Sequence, residues 1–156
     1  MREDSNQKCS LFRFDGNMIS MLNVGDTFIE PISFTQDNVN LFMQLTGDKN
    51  PIHVNQDVAR ASGYKDILVH GMLVACMFGG VLGTKFPGAH TVNLSRSLVF
   101  IRPVFVGETY FMHFKITGID FEQHIGEIKC RLKDSGGRIC VDCSTKVKNE
   151  VVFVWK

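Results

Sequence analysis

Apolar and polar residues alternate with a period of two through the second half of the chain. Tyr110, Met112, Phe114 and Ile116 fall on one side of a predicted strand, and Ile128, Cys130 and Leu132 are interleaved with Glu127, Lys129, Arg131 and Lys133. Ile139, Val141, Cys143, Thr145 and Val147 stand against Cys140, Asp142, Ser144, Lys146 and Lys148. Such alternation predicts antiparallel strands with one buried and one wet face. The stretches 24–34 and 91–101 also have strand character, and Gly25-Asp26 and Ser135-Gly136-Gly137 supply turns. Everything after Pro87 reads as strands.

The period changes in between. Val39, Phe42 and Met43 share a helical face behind the capping residue Thr35, so 36–46 predicts a short helix ended by Gly47. Asn55 caps a second, 56–62, with Gly63 behind it. The stretch 71–85 is apolar nearly all round, the pattern of a buried helix. Its glycines each cost about 1 kcal/mol relative to alanine, and close approach of neighbouring backbone is the expected compensation. The sum is an α+β fold: a curled antiparallel sheet of about five strands wrapped around a central helix at 71–85.

Composition agrees with one core. The 156 residues are 44% hydrophobic and 21% charged, and no repeat or low-complexity tract divides them. Residues 1–22 read as a poorly ordered lead-in and 23–156 as a single domain. A net charge of +1 offers no electrostatic footprint for nucleic acid. Five cysteines (9, 76, 130, 140 and 143) show no framework spacing and read as free thiols in a reducing compartment. Cys140-Val-Asp-Cys143 is formally a C-x-x-C, but strand alternation is expected to send the two sulfurs to opposite faces. The N-terminus lacks the apolar stretch of a secretory signal. Ile67 to Thr84 carries no charged residue, yet His70 and four glycines dilute it, so a buried helix is expected rather than a membrane span. The expected location is intracellular and soluble: mitochondrial if the source is eukaryotic, otherwise cytoplasmic.

Chemistry concentrates in Thr46-Gly47-Asp48-Lys49-Asn50-Pro51-Ile52-His53. Pro51 keeps Asn50 out of the helical region, so this turn is partly fixed by its own sequence. If the turn folds back, Asp48 and His53 converge and can hold a water and move its proton. Asp48 and Asn50 taken singly are ordinary turn formers. A second feature reaches toward the same site. Gly71, in Val69-His70-Gly71-Met72, opens the long helix and exposes backbone N–H donors suited to an oxyanion, although packing alone would equally account for a glycine there. His70 reads as a buried packing histidine, and a metal cluster of Asp48, His53 and His70 needs more assumptions than acid–base chemistry does. His90, His113 and His124 carry no motif. Phe78, Phe86, Phe100 and Phe105 could line an acyl tunnel but read first as core, and Lys85, Arg96 and Arg102 read first as solvated surface.

Three segments in order carry a resemblance: Gly47-Asp48-Lys-Asn50-Pro51-Ile-His53, His70-Gly71-Met72-Leu73, and Ser95-Arg-Ser97-Leu98-Val-Phe100-Ile-Arg-Pro103-Val-Phe-Val-Gly107-Glu108. Together they resemble the MaoC-like (R)-specific enoyl-CoA hydratases and the type 2 hydroxyacyl-thioester dehydratases, over about 24–148. Arg96 stands where many members carry Gln. The resemblance implies a hot-dog fold, a homodimer with the site near the subunit interface, and an acyl-thioester substrate on CoA or acyl carrier protein, with no metal or other cofactor. It implies Asp48 and His53 as the catalytic dyad, the Gly71 N–H as the group that polarises the thioester carbonyl, and Asn50 as a supporting, substrate-binding residue. The implied reaction is reversible hydration of a trans-2-enoyl thioester to an (R)-3-hydroxyacyl thioester. Two other readings share the fold. Hot-dog thioesterases generally place a carboxylate on the central helix, and 71–84 has none; a non-catalytic acyl-thioester-binding module would have little use for an Asp–His pair.

Overall fold

A computed structural model describes residues 11–14 and 17–155, with side chains from residue 21 onward. Two short strands, β1 (Leu11–Phe14) and β2 (Asn17–Ser20), pair as an antiparallel hairpin that the hydropathy pattern gives no sign of. The main sheet follows: β3 (Thr27–Ser33), β4 (Val92–Phe100), β5 (Thr109–Asp120), β6 (Ile125–Asp134) and β7 (Ile139–Lys148). Its order is β3-β5-β6-β7-β4, and every neighbouring pair is antiparallel. Pro31 lies in β3, an edge strand, where a missing donor is tolerated. Register shifts at Ile116/Gly118, Leu132/Lys133 and Asn93/Ser95 mark bulges, which sharpen the twist of a sheet.

Between β3 and β4 come the helices. Helix α1 (Gln36–Thr46) starts on a capping box: the Thr35 hydroxyl accepts from the Asn38 N–H, and the Asn38 side chain accepts from the Thr35 N–H at 3.0 Å. Gly47 ends it with φ 77°, a conformation glycine adopts without penalty. A single 3₁₀ turn spans Pro51–His53, and α2 (Gln56–Ala61) begins where the Asn55 side chain accepts from the Asp57 and Val58 N–H groups. Helix α3 (Gly71–Thr84) is the central element. Its Leu73, Val74, Phe78, Val81 and Leu82 join one buried cluster with Met112, Phe114, Ile116, Ile128, Leu132, Val141 and Val147 of the sheet. Phe78 is fully buried edge-on to Phe114, and burying such a side chain contributes roughly 1.5–3 kcal/mol.

Three expectations need correction. A methyl group added at Gly80 or Gly83 would meet nothing within 4 Å, and one at Gly79 would meet only the Arg96 guanidinium at 3.6 Å, so backbone crowding does not explain the glycines of mid-α3. Second, strict alternation fails in β7. Leu132 pairs Val141 while Lys133 pairs Ile139, which makes Cys140 the extra residue of a bulge. Cys140 and Cys143 are therefore both buried instead of facing opposite sides of the sheet. They still form no pair: Cys143 stands opposite Cys130, and the Cys140 thiol lies toward the Arg138 carbonyl. Cys76, Cys130, Cys140 and Cys143 are free thiols, and Cys9 lies outside the described residues. Third, the chain does not end as strand. After β7 it turns back on the buried Asn149, whose amide donates to Ala89 O and Thr91 Oγ1 and whose Oδ1 accepts from the Val151 and Val152 N–H groups.

Candidate active site

The α1–α2 connection folds back as its sequence predicts and meets the start of α3. Turn chemistry holds Asp48: its N–H donates to Thr46 Oγ1, and its Oδ1 accepts from the Asn50 N–H, both at 3.3 Å. The Asn50 side chain caps the 3₁₀ turn by accepting from the Ile52 N–H, and it does not line the neighbouring cavity. Asn50 thus touches Asp48 through its backbone and offers no side-chain contact at the cavity wall.

His53 ends that turn at 8% exposure, and its Nδ1 lies 2.8 Å from the Leu68 carbonyl oxygen. A carbonyl can only accept, so Nδ1 carries the proton and Nε2 keeps a lone pair. The backbone is fixed from the other side by Gln36, whose Nε2 donates to the His53 carbonyl. Burial pulls the His53 pKa below its ordinary value, and the neighbouring His70 adds to that; the Leu68 carbonyl and Asp48 act the other way.

His70 is buried at 2% exposure and stacks on His53, with ring centroids 3.7 Å apart and 27° between the planes. Its Nε2 lies 3.1 Å from the Asp48 carbonyl oxygen and 3.8 Å from Asp48 Oδ2. Asp48, His53 and His70 each offer an atom within 4.8 Å of the others, so the dyad expected from the sequence is brought together with a third group. A cation could use His70 Nε2 only by displacing the Asp48 carbonyl from it, so the arrangement suits proton transfer better. His70 is the residue that sequence reasoning undervalued. Its place directly before Gly71 was visible; its stack on His53 is made by the fold.

These groups open on one cavity of about 460 Å³. Asp48, His53, His70 and Gly71 line it together with apolar Leu68, Val74, Phe100, Val104 and Val141, and Tyr64 and Arg102 are further polar side chains on its wall. Gly71 is the first residue of α3, so its N–H lies outside the helical ladder at the positive end of the helix dipole. A methyl group at Gly71 would stand 2.9 Å from the Phe100 ring, so any side chain there would have to push that half-exposed ring aside.

The remaining candidates divide. Phe100 lines the cavity, whereas Phe78 and Phe86 are core and Phe105 packs with Ala59 and Leu68. Lys85 pairs with Glu30, Arg102 donates to the Ile139 carbonyl, and Arg96 turns inward to donate to Ala75 O, with Nε and Nη2 buried and unpartnered. No helix among the described residues is long and apolar enough to cross a membrane.

Known proteins resemble this chain in sequence and fold. An (R)-specific enoyl-CoA hydratase of Aeromonas caviae is 33% identical over 115 residues, which span 74% of this chain and 86% of that protein. A mitochondrial 3-hydroxyacyl-[acyl-carrier-protein] dehydratase of Arabidopsis thaliana is 38% identical over 89 residues, 57% of this chain and about half, 52%, of its own length. The solved structure of an (R)-hydratase from A. caviae involved in PHA biosynthesis superposes with a TM-score of 0.79 at 32% identity, covering 82% of this chain and 97% of that one. An R-hydratase of Pseudomonas aeruginosa in unliganded form gives 0.77 at 25% identity and covers 82% of each chain. The curled sheet around α3 is thus a hot-dog fold. With the MaoC like domain model matching residues 23–134, this chain belongs to the MaoC-like dehydratase family.

Proposed function

We propose that this protein adds water reversibly across the double bond of a trans-2-enoyl thioester, giving an (R)-3-hydroxyacyl thioester, or runs the reverse dehydration in fatty-acid metabolism. One observation carries this reading: Asp48, His53 and the first N–H of α3 border a single cavity with an apolar wall. The named relatives, which act on enoyl-CoA or on 3-hydroxyacyl carrier-protein substrates, support it.

The steps follow from the chemistry of a thioester, whose carbonyl withdraws electrons from the β-carbon. A water held between Asp48 and His53 Nε2 loses a proton to the dyad, and its oxygen bonds to the β-carbon. Electrons move from the double bond toward the thioester oxygen, which the Gly71 N–H stabilises. The dyad then returns the proton to the α-carbon, so one water supplies both parts. The apolar residues of the wall take the acyl chain. The exposed apolar residues of edge strand β4 support a homodimer, whose second copy would cover the Phe100 side of the cavity.

Loss of enoyl absorbance on incubation with crotonyl-CoA tests the reading. Asp48→Asn and His53→Ala should each slow hydration by ~10²–10⁴-fold. A wild-type rate no higher than that of the double variant, or release of free CoA without hydration, would overturn it.

A further inference from the structure

We infer that His70 is a positioning residue for the proposed hydration: one imidazole sets the distance between Asp48, His53 and the N-terminus of α3. The inference rests on the reading of Asp48 and His53 given above and adds a residue to it.

Each edge of the ring meets a different part of the site. Nε2–H donates to the Asp48 carbonyl at 3.1 Å and so grips the backbone of the turn, while the Asp48 side chain, held by the Asn50 N–H, remains 52% exposed. One ring face lies on His53 at 3.7 Å, and Phe42 of α1 tilts against the ring at 5.1 Å. The backbone of His70 is the N-cap of α3, and its carbonyl accepts from the Val74 N–H at 3.3 Å. The same residue therefore anchors the helix start that presents Gly71. The turn and the helix N-terminus come from two sequence segments, and the His70 imidazole is where they touch.

Packing alone does not account for a histidine here. Nδ1 is buried and has no hydrogen-bond partner, which is destabilising for a polar atom. A phenylalanine would fill the same slot between His53 and Phe42 without that unpartnered atom. What it would lose is the bond to the Asp48 carbonyl. The ionisable groups that share this space with His53 are Asp48 on the turn, His70 at the head of α3, and Tyr64 and Arg102 on the cavity wall.

The full chain and two variants, His70→Phe and His70→Gln, test this by melting, by hydration kinetics with crotonyl-CoA, and by NMR of ¹⁵N-labelled histidine. His70→Phe should melt at or above the wild-type temperature, with kcat reduced ~10–100-fold and KM changed by less than about threefold. His70→Gln keeps an N–H for the Asp48 carbonyl and should recover part of kcat. In the spectra, His53 should be an Nδ1–H tautomer in the wild type, and its titration midpoint should rise in His70→Phe. A folded His70→Phe protein with wild-type kcat would overturn the inference while leaving the proposed function intact. If the wild type does not hydrate crotonyl-CoA, the function fails separately, and unchanged His53 resonances in His70→Phe would overturn the positioning role on their own.

Discussion

His53 shows how few contacts set the chemistry of one side chain. The Leu68 carbonyl chooses its tautomer and leaves Nε2 as the basic nitrogen of a ring that borders the cavity. Burial keeps that nitrogen unprotonated to a lower pH than in a solvated imidazole. The sign of the pH dependence follows. As pH falls, the unfolded chain protonates His53 near 6.5, before the folded protein does, so stability is lost on acidification through and below that value. Activity that needs the neutral base should outlast the ordinary imidazole range. The acid limb of kcat/KM, measured from pH about 4 to 8, should therefore have its midpoint below the ordinary His value of about 6.5. A midpoint at or above it would show that burial does not govern this residue. Asp48, Asn50 and His53 were legible as a motif because all three sit on one short turn. The retreat of the Asn50 side chain to Ile52 N was not, because turn formers bond locally by default.

At the scale of elements, local rules did well where they are strong. Thr35 and Asn55 occupy the N-caps that their side chains favour, Gly47 the left-handed C-cap that its missing Cβ allows, and α1 has the predicted bounds. Rules failed where long-range pairing decides. A bulge in β7 brought Cys140 inward, and the chain after Lys148 became a packed tail. That tail makes a specific demand. Phe153 is fully buried on β6, and a methyl group at Gly126 would stand 2.3 Å from its Cζ. Gly126→Ala should destabilise the fold by about 1–3 kcal/mol, read as a lower urea midpoint with unchanged m-value. An unchanged midpoint would mean that the tail does not press on β6 in solution.

Considered whole, the molecule has an open side. Strand β4 pairs only with β7 among the described residues, and Val92 and Val99 on it are 59% and 58% exposed. An edge strand that exposes Val92, Leu94, Val99 and Phe100 is a surface that proteins normally cover. If a second copy covers it, sedimentation should give twice the chain mass. Val92→Lys with Val99→Lys should then shift the protein toward the monomer and lower hydration, because Phe100 on the same strand walls the cavity. A wild-type monomer at working concentration would end the homodimer proposal.

By itself the sequence determined the α+β class, the two capped helices, the buried central helix and the turn that carries Asp48 and His53. Those features follow from hydrophobic period, capping chemistry and the stiffness of proline, which act over a few residues. Tertiary structure alone decided what the turn faces. Only folding lays His70 on His53, sets α3 behind the Asp48 carbonyl and closes apolar walls from α3, β7 and the segment after β4 around them. Contacts between segments far apart in the chain depend on how the sheet curls around the helix, and no local pattern records that distance.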